Sequence, residues 1–138
     1  KELYKHFGIT ADAIVAAARE IAEAADIKAI CCFSQSGTTV SLVARERPRV
    51  PILALTPLME TARRMCLTWG AHCVITEEQD RFKGAVISAV RAARTYGFAE
   101  EKDQIVLTAG VPFNVQGTTN ILRVAPCDER LIYRVDPE

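Results

Sequence analysis

Five short apolar runs punctuate this chain: IKAICCF at 27–33, PILALT at 51–56, HCVIT at 72–76, QIVLTAG at 104–110 and TTNILRV at 118–124. A stretch of helical character separates each from the next, except the last two. A strand that reaches its successor through a helix becomes its parallel neighbour in a sheet with helices on its faces. The run 27–33 is nearly continuous in apolar residues, as a strand covered on both faces should be. The last two runs are joined by VPFNVQG at 111–117, and a parallel crossover needs about a dozen residues or more. The final strand is therefore expected to run antiparallel, at or near an edge. The pattern predicts an α/β fold, a three-layer α/β/α sandwich around a five-stranded, mostly parallel sheet with its last strand antiparallel.

The intervening helices can be placed by their periodicity. From Thr10 to Ala25 the residues Ile14, Ala17, Ala18 and Ile21 recur at helical spacing, with Thr10 as cap and Asp12 in the first turn. A second helix is expected from about Gly37 to Glu46, burying Val40, Val43 and Ala44, until RPRVP breaks it. A third should open at Thr56-Pro57 and end at Gly70, with a stripe of Leu58, Ala62, Met65, Cys66 and Trp69 that puts Trp69 in the core. Asp80 should cap a fourth, with Phe82, Ala85, Val86, Ala89 and Ala93 on one face and Gly97 at its end.

With 138 residues, 49% hydrophobic and 25% charged, the chain suits one globular domain spanning 1–138, with residues 125–138 as a possible extra C-terminal arm. No apolar run approaches the roughly 20 residues that cross a bilayer, and KELYKHFGIT has no signal-peptide character, so the opening reads as a cut from a larger polypeptide. Zero net charge with scattered basic residues argues against nucleic acid. The five cysteines have no paired spacing and are read as free thiols in a reducing cytoplasm. His6 and His72 have no companions that would complete a metal site, and Cys32 has no neighbouring base to make it a nucleophile.

Ligands in open α/β sheets bind beyond the carboxyl ends of strands. There the sequence sets Ser34-Gln35-Ser36-Gly37-Thr38-Thr39, directly before a helix. Free amides and the positive end of the helix dipole favour an anion. Four hydroxyls in six residues exceed what capping needs. The spacing is neither that of a Walker loop nor of a dinucleotide fingerprint, which points to a sugar phosphate or nucleoside monophosphate. The loop 111–117, followed by Thr118, Thr119 and Asn120, also leaves the carboxyl end of a strand and can close over the same ligand.

Three segments together resemble the C-terminal domain of pyruvate kinase: FSQSGTTVSLVARERPRVPILALTP, ETARRMCLTWGAHCV and QIVLTAGVPFNVQGTTNILRV. The resemblance implies a regulatory domain that holds a phosphorylated allosteric effector through Ser34, Gln35, Ser36, Gly37, Thr38 and Thr39. It further implies an effector loop contributing Asn114, Gln116, Gly117 and Thr118. The family reaction, phosphoenolpyruvate plus ADP to pyruvate plus ATP, uses magnesium and potassium and a catalytic barrel domain of the same polypeptide. No catalytic or metal-binding residue of that reaction is matched here, so the chain alone is expected to be inactive. Family domains pair across a subunit interface, which implies a homo-oligomer through the edge strand 118–124. Because VPFNVQ lacks basic and tryptophan residues, a sugar monophosphate or AMP is favoured over a bisphosphate. The alternatives are a sugar isomerase-type phosphosugar-binding domain, which shares the SQSGxT-like turn, and a stand-alone binding domain of the same fold. On this reading Gly37→Asp should abolish effector binding and leave the fold intact.

Overall fold

The computed structural model describes residues 11–79, 81–110 and 119–128. In chain order the elements are α1 (Ala11–Ala24), β1 (Ile27–Phe33), α2 (Thr38–Arg45), β2 (Ile52–Thr56), α3 (Met59–Met65), β3 (Ala71–Ile75), α4 (Phe82–Thr95), β4 (Gln104–Ala109) and β5 (Ile121–Pro126). They form one five-stranded sheet in the order β3-β2-β1-β4-β5. The first four strands are parallel, and β5 runs antiparallel along β4 at one edge.

Alternation along the buried strands splits the core in two. Ala29 and Cys31 of β1 face α4, together with Leu53, Leu55, Ile105 and Leu107; Ile30 and Cys32 face α1 and α2, together with Ile52, Ala54 and Val106. The adjacent cysteines thus lie on opposite faces, both fully buried. Three helices share one face, while on the other α4 packs with Ala85, Val86, Ala89, Val90, Ala92 and Ala93 buried. Alanines let a helix backbone approach the sheet closely, and this one follows the expected stripe. On α1 the buried stripe is Val15, Ala18 and Ala22, turned about one residue from the Ile14–Ile21 line, whose two isoleucines are only partly covered.

Three expectations change. The third helix stops at Met65 rather than continuing to Gly70, because β3 begins at Ala71, whose N–H donates to Thr68 O at 3.2 Å. Gly70 at φ +71 turns the chain, and its carbonyl receives the N–H of Ile52 at 3.0 Å. Trp69, cut off from the helical stripe, is 50% exposed instead of buried, with the Arg47 guanidinium 4.4 Å from its ring centroid. Such a contact at an exposed site contributes about 0.5–1 kcal/mol. The last strand also lies further along than 118–124: Gln104 pairs with Pro126, and buried Ala125 and Cys127 carry the chain inward. Cys127 N–H donates to Asp103 O at 2.7 Å, so residues 125–127 belong to the sheet domain rather than to an arm. The remainder of the expected arm, 129–138, and the expected caps Thr10 and Asp80 lie outside the described residues.

Burial sets the chemistry of the core thiols. It pushes Cys31 well above its ordinary value and Cys32 up to about 11, so neither is a nucleophile near neutrality. An unfolded chain ionises Cys32 near 9, so this thiol favours the folded state undiminished below pH 9, and the advantage drains away as pH rises towards 11. Two pH units correspond to about 2–3 kcal/mol for this group. Urea unfolding at pH 8.5 and about pH 10.5 should show that fall, and Cys32→Ala should have a shallower pH dependence than the parent chain.

Candidate functional site

The chain proceeds from β1 outward to β2 and β3, then returns to place β4 on the other side of β1. The reversal opens a crevice between the carboxyl ends of β1 and β4, where α/β sheets take their ligands. The turn 34–39 leaves β1 at that point, and the chain leaves β4 there at Gly110.

The turn is built from its own side chains. Ser34 Oγ accepts the Gly37 N–H at 2.8 Å, and Gly37 adopts φ +86, ψ −1 ahead of α2. No side chain caps α2, and its first backbone hydrogen bond outside the regular helix is Ser41 N–H to Gly37 O at 3.1 Å. The amides of its first turn are then directed to the crevice end, with the positive pole of the dipole. Ser36 Oγ and Thr38 Oγ1 lie 3.0 Å apart, both on exposed residues, and the Thr38 N–H reaches Ser36 Oγ at 3.4 Å. Thr39 is buried, and its hydroxyl meets that of Thr119 at 2.6 Å. The hydroxyls therefore divide: Ser34 shapes the turn, Ser36 and Thr38 face outward, and Thr39 joins the first segment to the second. Asn114, Gln116, Gly117 and Thr118 lie outside the described residues.

Helix α3 supports the turn from the side, through Thr61 and Arg64, which the sequence reading did not single out, and through Met65 of its expected apolar stripe. Thr61 Oγ1 donates to the Gln35 carbonyl at 2.6 Å, and Arg64 Nη2 donates to Thr61 Oγ1 at 3.2 Å. A guanidinium thus stands beside an otherwise uncharged turn. Met65 packs under Gly37: a Cβ at 37 would lie 3.2 Å from Met65 Cγ and 3.4 Å from its Sδ. No local pattern signals these contacts, which depend on how α3 crosses the end of β1. They also revise the expectation for Gly37→Asp. A side chain there meets both a left-handed backbone and Met65, so the variant would also lose stability, and loss of binding by it would not isolate the ligand contact.

Comparison with known proteins follows the same boundaries. Residues 12–125 match the family described as "Pyruvate kinase, alpha/beta domain". A pyruvate kinase of Methylorubrum extorquens is 41% identical over 114 residues, covering 83% of this chain and 24% of the relative. One of Agrobacterium vitis is 44% identical over 112 residues, covering 81% and 24%. The chain spans about a quarter of the length of these relatives. The crystal structure of a pyruvate kinase from Cryptosporidium parvum superposes with a TM-score of 0.77 at 23% identity, covering 86% of this chain and 23% of that one, and shares its fold.

Gly37→Ala should lower unfolding free energy by about 1–2 kcal/mol, the cost of a left-handed conformation for a residue with Cβ. Any further loss from the clash with Met65 adds to this, and a paired Met65→Ala change would remove that steric part and not the conformational one. Denaturant melts of the two single variants and the double variant separate the terms.

Proposed function

Because this chain belongs to the pyruvate kinase family, as its α/β domain, we propose that it is the regulatory domain of a phosphotransferase and binds a phosphorylated effector at the turn 34–39. The observation that carries this reading is the uncapped start of α2 at the crevice between β1 and β4, fronted by the Ser36 and Thr38 hydroxyls. Dipole, amides and hydroxyls suit a phosphate group, and Arg64 supplies one nearby positive charge. One cation hydrogen-bonded beside the turn, among the described residues, suits one phosphate, and the effector class is proposed to be a sugar monophosphate or AMP. The Thr39–Thr119 bond ties the β1 turn to the segment after β4, so residues 114–118 are proposed as the ligand's second wall. The turn shares its spacing with sugar isomerase-type domains, but the family match extends far beyond it, over residues 12–125.

Transfer of phosphate from phosphoenolpyruvate to ADP, with its magnesium and potassium, is proposed for the remainder of the polypeptide, in a catalytic barrel of a cytoplasmic enzyme. Among the described residues no group of three or more His, Cys, Asp and Glu side chains is placed to hold a metal ion. The chain alone is proposed to be inactive, because no segment of its sequence resembles the family's catalytic motifs. Regulation works by population shift: an effector that favours the active arrangement stabilises it by its differential affinity, commonly about 1–3 kcal/mol.

Calorimetric titration with glucose 6-phosphate, ribose 5-phosphate, AMP and fructose 1,6-bisphosphate should give saturable binding of a monophosphate. Ser36→Glu, at an exposed position, should weaken it about tenfold or more without changing the melting temperature, since one charge-assisted contact is worth about 1.5–3 kcal/mol. Arg64→Ala should weaken it less. Full affinity in Ser36→Glu would remove the turn from the site.

The edge of β5 supports a second element of the proposal. Beyond β4, β5 has no strand partner among the described residues, and Arg123, Val124 and Pro126 are exposed along it. Pairing of β5 with its copy is proposed as a subunit contact. Sedimentation should show a dimer at high concentration, weakened by Val124→Lys; a monomer throughout would dismiss this contact.

A further inference from the structure

Helix α4 turns its alanine stripe to the core, but Ser88, Arg91, Ala92 and Thr95 recur at helical spacing along one flank. Between that flank and the chain leaving β3 lies an open cleft of about 260 Å³, the room of about nine water molecules. Val74 and Ile75 give it an apolar side, and the Tyr96 ring, 5.1 Å from that of His72, adds an aromatic one. The loop after β3 is pinned at both ends. Thr76 N–H donates to Thr56 O at 3.0 Å, while Gln79 Nε2 donates to the Glu77 carbonyl at 3.3 Å and to Ser88 Oγ at 3.2 Å. Gly84 makes room for this clip, since a Cβ there would collide with Gln79 Oε1. One lining group is left over: Thr76 Oγ1 is buried and has no hydrogen-bond partner among the described residues. Such an orphan costs stability that a bound group can restore.

We propose that this cleft is a binding site for a small monocarboxylate with an apolar body the size of one ring. Arg91 is the only cation among the described lining residues, and a planar guanidinium matches a carboxylate with two parallel donors. Glu77 lines the same cleft and disfavours a second negative charge, which sets dicarboxylates and phosphates at a disadvantage. Val74, Ile75, Ala92 and the Tyr96 ring reward an apolar body over a sugar. The volume admits one ring and little more. A staggered rotation of Thr76 lets its unpartnered hydroxyl donate to the bound anion. The cleft lies beyond β3, two strands away from β1, so it is separate from the turn 34–39 and independent of what that turn binds.

The test is titration of the isotope-labelled 138-residue chain with benzoate, followed through its amide NMR shifts. Shifts should gather at residues 74–79 and 88–96 and saturate, with a Kd of about 1–10 mM for so small a probe. Residues 34–39 should stay unmoved. Arg91→Gln, at an exposed position, should weaken binding about tenfold without changing the melting temperature. Benzylamine, the same ring with the opposite charge, should not bind. Shifts that fail to saturate by about 50 mM benzoate, or that saturate elsewhere on the chain, would overturn the proposal. So would benzylamine binding as well as benzoate, or full affinity in Arg91→Gln.

Discussion

Everything at the crevice depends on β1 being paired in parallel on both sides, with β2 through Ile30–Phe33 and with β4 through Ile30–Cys32. A parallel strand with two parallel neighbours has a helix or a loop leaving from the same end of each. Since β2 and β4 come from opposite directions of chain travel, those exits diverge and a gap opens above β1. The same double pairing explains why IKAICCF is nearly continuous in apolar residues, for each face of β1 meets a helical layer; Lys28, near its start, instead pairs with Asp26. Its two adjacent thiols point to opposite halves of the core, and the chain needs no polar group there.

Helix α3 is short and contributes little to the core beyond Ala62 and Met65, yet it determines the shape of the turn 34–39. A hydrogen bond such as that of Thr61 to Gln35 O is worth about 1 kcal/mol net, and the left-handed Gly37 avoids a cost of about 1–2 kcal/mol. Two contacts of this size suffice to select one conformation of a six-residue turn. The turn is thus pre-shaped by a neighbouring helix rather than by charge, and its hydroxyls are committed before any ligand arrives. A small anion would encounter donors already in place, which reduces the ordering that binding requires.

Much of this was legible from local pattern. The helix-separated apolar runs and the short last connection specified a mostly parallel sheet with an antiparallel edge, because those rules act between neighbours in sequence. The buried set of α2, Val40, Val43 and Ala44, and the alanine stripe of α4 came from periodicity alone. Where the reading failed, a tertiary demand overrode a local one. Trp69 continues the stripe of α3 perfectly, but β3 must start two residues later to pair with Ile52, so the helix ends early and the indole turns to Arg47. Likewise the residues of α3 that hold the turn, Thr61, Arg64 and Met65, lie about 25–30 positions from it, and no motif spans such a gap.

The hydroxyl bond between Thr39 and Thr119 joins positions 80 residues apart. During synthesis the nascent chain releases α1 through α4 long before β5 has emerged. The first segment of the crevice can therefore take shape on the ribosome while its latch is still missing. Contacts of such long range are made late in folding, because the intervening chain must first be ordered. A polypeptide truncated between Gly110 and Thr119 would keep the sequence of four of the five strands and of the whole turn, yet lack the partner of Thr39. Completion of the crevice thus reports that translation of the domain has reached its final strand.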